Sequence, residues 1–422
     1  MKKNFLKLPL FLALGAMVTF GLSSCSDSDD NNGAETRLTA NELAMGKATE
    51  QYVNNTVYTI YGKLAASTGT LFEDVQALRD KFVKDPSSVS QSDIDKVCEQ
   101  FKDARKLYEC SEAFLFGAAT DFGIDPHIDT WPLDLDGLAT ALSNKSQLAK
   151  FSTDDDDANI AYAAGKMGQE LLGFHGLEFV LFRNGANRTV ESLKANESDE
   201  AFKNITVTGK EELYYAVAVA GDLRDRCWQM EVAWNDKAPQ AHIDRVEELE
   251  LSTVASNSSM SYGDNMLSAT QLGSTYKTWQ QTMVAICSAG CENIAKEVAN
   301  TKIGNPYSGQ DANYIESPYS QRSFIDFEDN LLSIQYSLYG GYELTAPHAN
   351  SVMGYMQNHD AEQAAKLDND LKAAIAAIKE CQKLNGGFVN NISNPLVGTA
   401  QKAVQALDND LVKAGEWFAN QK

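Results

Sequence analysis

The sequence predicts an all-α protein made of two packed four-helix-bundle-like halves with long ordered loops. Three observations carry this. Apolar residues recur at helical spacing along most of the chain, and the strict alternation of a half-buried strand is scarce. Only nine prolines occur in 422 residues, none between 133 and 238 or between 348 and 394. Those stretches are rich in Ala, Leu, Glu, Lys and Gln, which lose little side-chain freedom in a helix. With 43% apolar and 22% charged residues the chain has enough to bury and is no disordered polymer. A net charge of −22 argues against nucleic acid as a partner, because phosphate binding needs a basic stripe.

Residues 1–24 read as a signal peptide rather than as fold. Lys2, Lys3 and Lys7 precede the apolar run Leu8–Leu22, which is shorter than the ~20 residues of a membrane span. The run ends in Leu22-Ser23-Ser24-Cys25, a pattern that resembles a bacterial lipobox with Cys25 as the lipidated residue. Residues 25–37, with Ser26-Asp27-Ser28-Asp29-Asp30, have little to bury and read as a disordered tether. The expected location is the outer membrane, on its surface or periplasmic face, with the lipid as the only membrane contact. Cys98, Cys110, Cys227, Cys287, Cys291 and Cys381 have no metal-type Cys-x-x-Cys spacing, and their pairing is left open.

Four helices are expected in an N-terminal bundle over 38–240: roughly 39–68, 90–118, 157–183 and 210–236. Four more are expected in a C-terminal bundle over 241–422: roughly 264–300, 323–340, 358–384 and 395–420. Ser92-Asp93, Asp154–Asp157 and Ser323-x-x-Asp326 supply N-terminal caps and acids where the helix dipole favours them. The Ser/Asn-rich stretch after Pro239 suggests the break between halves. Whether the halves are repeats is left open. The connections 119–156 and 301–322 are long, and long ordered loops often carry function.

Charged residues stand where apolar ones are expected. Ala164, Gly168, Leu171, His175, Glu178 and Phe182 share one helical face, so His175 and Glu178 project together inside an inward stripe. The stripe Ile94, Cys98, Phe101, Arg105, Tyr108, Glu112 and Leu115 is likewise interrupted by Arg105 and Glu112, with Glu109 beside it. Buried charges need partners. A salt-bridge network in which Arg105 neutralises Glu112 or Glu178 is one answer. A metal site between helices is the other. His359-x-x-Glu362 has the same spacing but lies at a helix start, where acids belong on the surface.

Gly173-Phe174-His175-Gly176-Leu177-Glu178-Phe179 resembles the Gly-x-His-x-x-Glu signature of the imelysin family. So do Ala104-Arg105, Ser111-Glu112-Ala113-Phe114, Phe116-Gly117, Asp129-Thr130-Trp131-Pro132, Glu297, Lys302, Pro306 and Glu316-Ser317-Pro318-Tyr319-Ser320 with Ser323, Asp326 and Phe327. The resemblance runs from about residue 40 to the C-terminus. It implies two helical bundles, export, and a link to bacterial iron acquisition, with an outer-membrane iron-uptake partner. Related periplasmic iron-uptake proteins carry proposed metal ligands that fall here on Glu109, Glu112, Asp129, His175 and Glu178. Leu133–Asp157 has no counterpart in those relatives. The implied cofactor is a divalent or trivalent metal ion, iron foremost and zinc as the alternative. Arg105, Ser320 and Asp326 would support the ligands, although helix capping also accounts for Ser320 and Asp326.

The family is also classed with metallopeptidases through insulin-cleaving members. The sequence has neither His-Glu-x-x-His nor His-x-x-Glu-His, since Phe179 follows Glu178, and no separate base is identifiable. A third reading is a surface module for a glycan, peptide or protein, using Tyr307 to Tyr319 with Tyr339 and Tyr342. Packing between helices explains those tyrosines equally well.

Overall fold

The expected helical stripes are satisfied by two sets of packed helices. The computed structural model describes residues 38–421 except Ser256. The signal peptide, the tether and Cys25 lie outside the described residues. In the first set Tyr58–Lys84 packs on Gln91–Glu109 and on Gly209–Trp234, which also contacts Asp156–Lys166 and Gly173–Leu181. In the second, a helical run over 279–302 packs with Ser323–Tyr339 and Pro395–Ala419, and Ala361–Cys381 packs on both of those helices. Residues 39–422 make one compact unit. The first helix, Ala40–Tyr52, packs against Trp279–Val284 and Val352–His359, so chain order does not decide which bundle it joins. Among the described residues no helix is long and apolar enough to cross a membrane.

Several expected helices are interrupted, and the interruptions place the site. The helix expected over 157–183 is not continuous. It runs Asp156–Lys166, turns through Gln169–Leu171, and restarts as Gly173–Leu181. Gly173 causes the restart: its φ is +67°, and a Cβ there would lie 1.8 Å from the Ile128 carbonyl oxygen. The single face from Ala164 to Phe182 is therefore replaced by a short, wholly buried helix carrying His175 and Glu178. It ends in a hairpin, Phe182–Arg183 against Ala186–Asn187, turning on Asn184 (φ 52°) and Gly185 (φ 81°). Two positive φ values on an Asn-Gly pair are the type I′ pattern.

The helix expected over 90–118 stops at Glu109, and Glu112 lies in a separate turn, Glu112–Phe114. The region 119–156 holds short helices, including Ile124–Ile128 and Leu135–Ser143. The helix expected over 264–300 is split into Tyr262–Leu267 and the run from Trp279, and that over 358–384 begins only at Ala361. The run over 279–302 widens into π turns at Ala285–Glu292 and Val298–Lys302. Gly290 lets the first of these meet the other half, since a Cβ there would lie 2.1 Å from the Ala113 carbonyl. The six described cysteines are buried free thiols, Cys287 and Cys291 included.

Candidate metal centre

The two halves meet in a buried charged cluster. From the first come Arg105 and Glu109 on the Gln91–Glu109 helix, Glu112 in the turn after it, Asp129 in the following loop, and His175 and Glu178. From the second come Lys302, Glu316, Ser320 and Asp326. Each of these side chains is buried.

Two cations organise the acids. The Arg105 guanidinium contacts Asp129 and Glu109, donates to Glu316 at 2.7 Å, and lies 3.7 Å from Asp326. The Lys302 ammonium donates to Glu112 at 3.0 Å and to Glu316 at 3.1 Å, and lies 3.7 Å from Glu109. Asn330 donates to Glu109 at 2.5 Å. The sequence alternative in which Arg105 neutralises Glu112 or Glu178 is thus replaced: Lys302 takes Glu112, and Glu178 accepts from the Ser320 backbone N–H and hydroxyl, both at 2.7 Å. Asp326 accepts from Ser317 at 2.5 Å and lies 3.5 Å from Arg322 at the rim.

The imidazole lies between two carboxylates, one at each nitrogen. His175 Nδ1 lies 3.4 Å from Glu178 Oε2. Its Nε2 lies 3.2 Å from Asp129 Oδ1 without hydrogen-bond geometry, and no other group takes it. Glu316 Oε2 also lacks a partner. Donor atoms of Asp129, His175 and Glu316 converge within 4.8 Å of one another, as do those of Glu109, Glu112 and Asp129. Trp131 and Tyr314, both half-buried, cover the cluster: the Trp131 ring lies 6.1 Å from the His175 ring, 5.3 Å from Tyr314 and 5.2 Å from the Lys302 ammonium.

Burial and pairing set the charges. Burial raises the pKa of Glu109, Glu112 and Glu316 despite the cations beside them. Asp129 goes the other way, since Arg105 and His175 outweigh its burial. Burial works against a charged imidazole, yet the Asp129 and Glu178 carboxylates push His175 up to about 9. Lys302 is also held well above its ordinary value, because its acids overcome the burial penalty.

All five sequence-predicted ligands therefore lie in this region, but in different company. Asp129 and His175 face each other, Glu178 backs the ring, and Glu109 and Glu112 face Lys302 and Arg105. The sequence reading did not select Glu316 or Lys302 as site residues, although both stood among the resembling motifs. His359 and Glu362 remain on the surface, His359 stacked on Tyr355. Tyr339 is buried and bonded to Asp368, Tyr342 packs on Tyr336, and Tyr319 packs on Phe179.

The fold and the buried His/carboxylate cluster define a class, a two-bundle helical protein with a polar centre between its halves. The chain belongs to the imelysin family, whose profile matches residues 61–414. It is 22% identical over 373 residues to iron-regulated protein A of Synechococcus elongatus, covering 87% of this chain and 85% of that one. A crystal structure from Parabacteroides distasonis, described as an iron-regulated protein A precursor, shares the fold. It is 23% identical with a TM-score of 0.69, over 91% of this chain and 97% of that one. An imelysin-like protein of Psychrobacter arcticus matches with a TM-score of 0.53 at 13% identity, over 90% and 94% of the two chains.

Proposed function

We propose that this chain is a lipid-anchored outer-membrane protein that binds a metal ion, iron foremost and zinc as the alternative, and serves bacterial iron uptake with an outer-membrane partner. The observation that carries this is the convergence of the Asp129, His175 and Glu316 donor atoms within 4.8 Å of one another, with Glu316 Oε2 unpartnered. One imidazole with carboxylates suits a hard or borderline ion. Glu178, fixed by Ser320, faces Nδ1, and such a carboxylate orients a ligating imidazole so that Nε2 points at the ion. Glu178 thereby acts as a positioning residue, and Asp129, His175 and Glu316 are the ligands. Glu109 and Glu112 stand beside them as further oxygen donors. The relatives described as iron-regulated support iron as the cargo, and the sequence pattern at Cys25 supports the anchor. His175 is 2% exposed and Asp129 4%, which favours an ion-sized cargo over a polypeptide substrate.

Calorimetric titration with Fe(II), Fe(III), Zn(II) and Mn(II) tests the reading. The protein should bind one ion, and His175→Ala and Asp129→Asn should each weaken binding by about tenfold to a hundredfold. Unchanged binding in both variants, or no binding by the native protein, would refute it. Metal-dependent peptide cleavage lost in both would turn the reading to a metallopeptidase.

A further inference from the structure

Resting on the metal-binding reading above, we propose that Lys302 is a resident competitor cation: it holds the site's carboxylates while no ion is bound and yields Glu316 when one arrives. It thereby sets the affinity and permits release.

The Lys302 ammonium sits among three acids. It is 1% exposed and faces Glu112, Glu316 and Glu109 at 3.0, 3.1 and 3.7 Å. Glu316 belongs at the same time to the set that converges with Asp129 and His175. One carboxylate thus serves Arg105, Lys302 and the ion's seat, and an ion on that seat stands beside an ammonium of like charge. Such repulsion is strong where water is excluded.

The two cationic side chains differ in what they can do. Arg105 is a planar fork engaged by Asp129, Glu109 and Glu316 at once, with its guanidinium 5.1 Å from the Phe174 ring. Lys302 is a point charge on a flexible four-carbon stem. It rises from the π turn Val298–Lys302, a kind of turn common at functional positions, and its ammonium lies under the half-buried Trp131. Arg105 is built to stay and Lys302 to move. Lys302 also joins the halves, since Glu112 comes from the first and Lys302 from the second.

The test is calorimetric titration of the full protein with Zn(II) and Mn(II), comparing native protein with Lys302→Met, Lys302→Arg and His175→Ala. Lys302→Met should bind about tenfold tighter or more, and Lys302→Arg no tighter than native. Tighter binding by Lys302→Met alongside loss in His175→Ala supports the proposal. Equal or weaker binding by Lys302→Met, with native protein binding and His175→Ala not, overturns it and leaves the metal reading intact. No binding by any variant overturns both. Lys302→Gln, which keeps a donor for Glu112, carries the same expectation if the Met variant does not fold. In native protein the Lys302 ammonium resonance should shift on Zn(II) addition, and an unmoved resonance in the metal-bound protein overturns the proposal.

Discussion

Two buried ionic clusters lie at opposite ends of the Gly173–Leu181 helix, and they are built differently. Beyond its C-terminus, Arg188 bonds Glu212 at 2.7 Å and Glu197 at 2.9 Å, and Arg183 pairs with Glu197. Two cations meet two acids there. Around His175, the acids Glu109, Glu112, Asp129, Glu178, Glu316 and Asp326 face Arg105, Lys302 and, from the rim, Arg322. A balanced cluster is complete as a piece of architecture. One whose acids outnumber its Arg and Lys side chains two to one, with only the His175 imidazolium to add, is costly to bury as it stands, and its remedy is a raised pKa or a further cation. Glu109, Glu112 and Glu316 show the first remedy, and the convergence of Asp129, His175 and Glu316 donor atoms points to the second.

The contrast can be broken by mutation. The largest effect belongs to the balanced cluster. Arg188→Met leaves Glu212 without its main partner and Glu197 with Arg183 alone, and chemical denaturation should show a loss of about 3–5 kcal/mol. A loss below about 1 kcal/mol would mean that balance does not distinguish the clusters.

Next comes Asp329, one turn beyond Asp326, where burial pushes the carboxyl up to about 7. The folded state then holds a proton that the unfolded chain, with its ordinary value of 3.8, gives up. Stability from this group is present in acid, falls as pH rises from about 4 to 7, and is flat above. Asp329→Asn should therefore raise stability by about 2–4 kcal/mol at pH 8 and leave it unchanged at pH 4, read from denaturation midpoints at both. An equal effect at the two pH values would show that the carboxyl is not protonated in the folded protein. The smallest effect is Glu109→Gln. Burial already favours its neutral form, so an amide should change stability by less than about 1 kcal/mol at pH 7. A loss as large as that of Arg188→Met would make the acid-rich cluster an ordinary ion-pair network.

How much of this was readable along the chain follows from distance. The helices were legible, because Ile94, Cys98, Phe101, Arg105 and Tyr108 repeat with the period of one turn and all prove buried. His175 and Glu178 were legible for the same reason, being three residues apart on one helix. Their continuous stripe from Ala164 was misleading, because periodicity does not report that Gly173 must sit against the Ile128 carbonyl. A local signal did exist for the hairpin after the helix, the Asn184-Gly185 pair flanked by Phe182 and Arg183. Glu316 and Lys302 carried no spacing that tied them to Arg105 and Glu112, 211 and 190 residues away.

The sequence by itself determined that the chain is helical, that its helices carry inward charges, and that His175 and Glu178 lie together. These are short-range consequences of the helical repeat. Tertiary structure alone decided which acid meets which cation. Lys302 takes Glu112, Arg105 takes Asp129 and Glu316, Ser320 takes Glu178, and His175 Nε2 faces Asp129. Pairing inside a low-dielectric core depends on ångström-scale separations between segments far apart in the chain, and no local pattern encodes those.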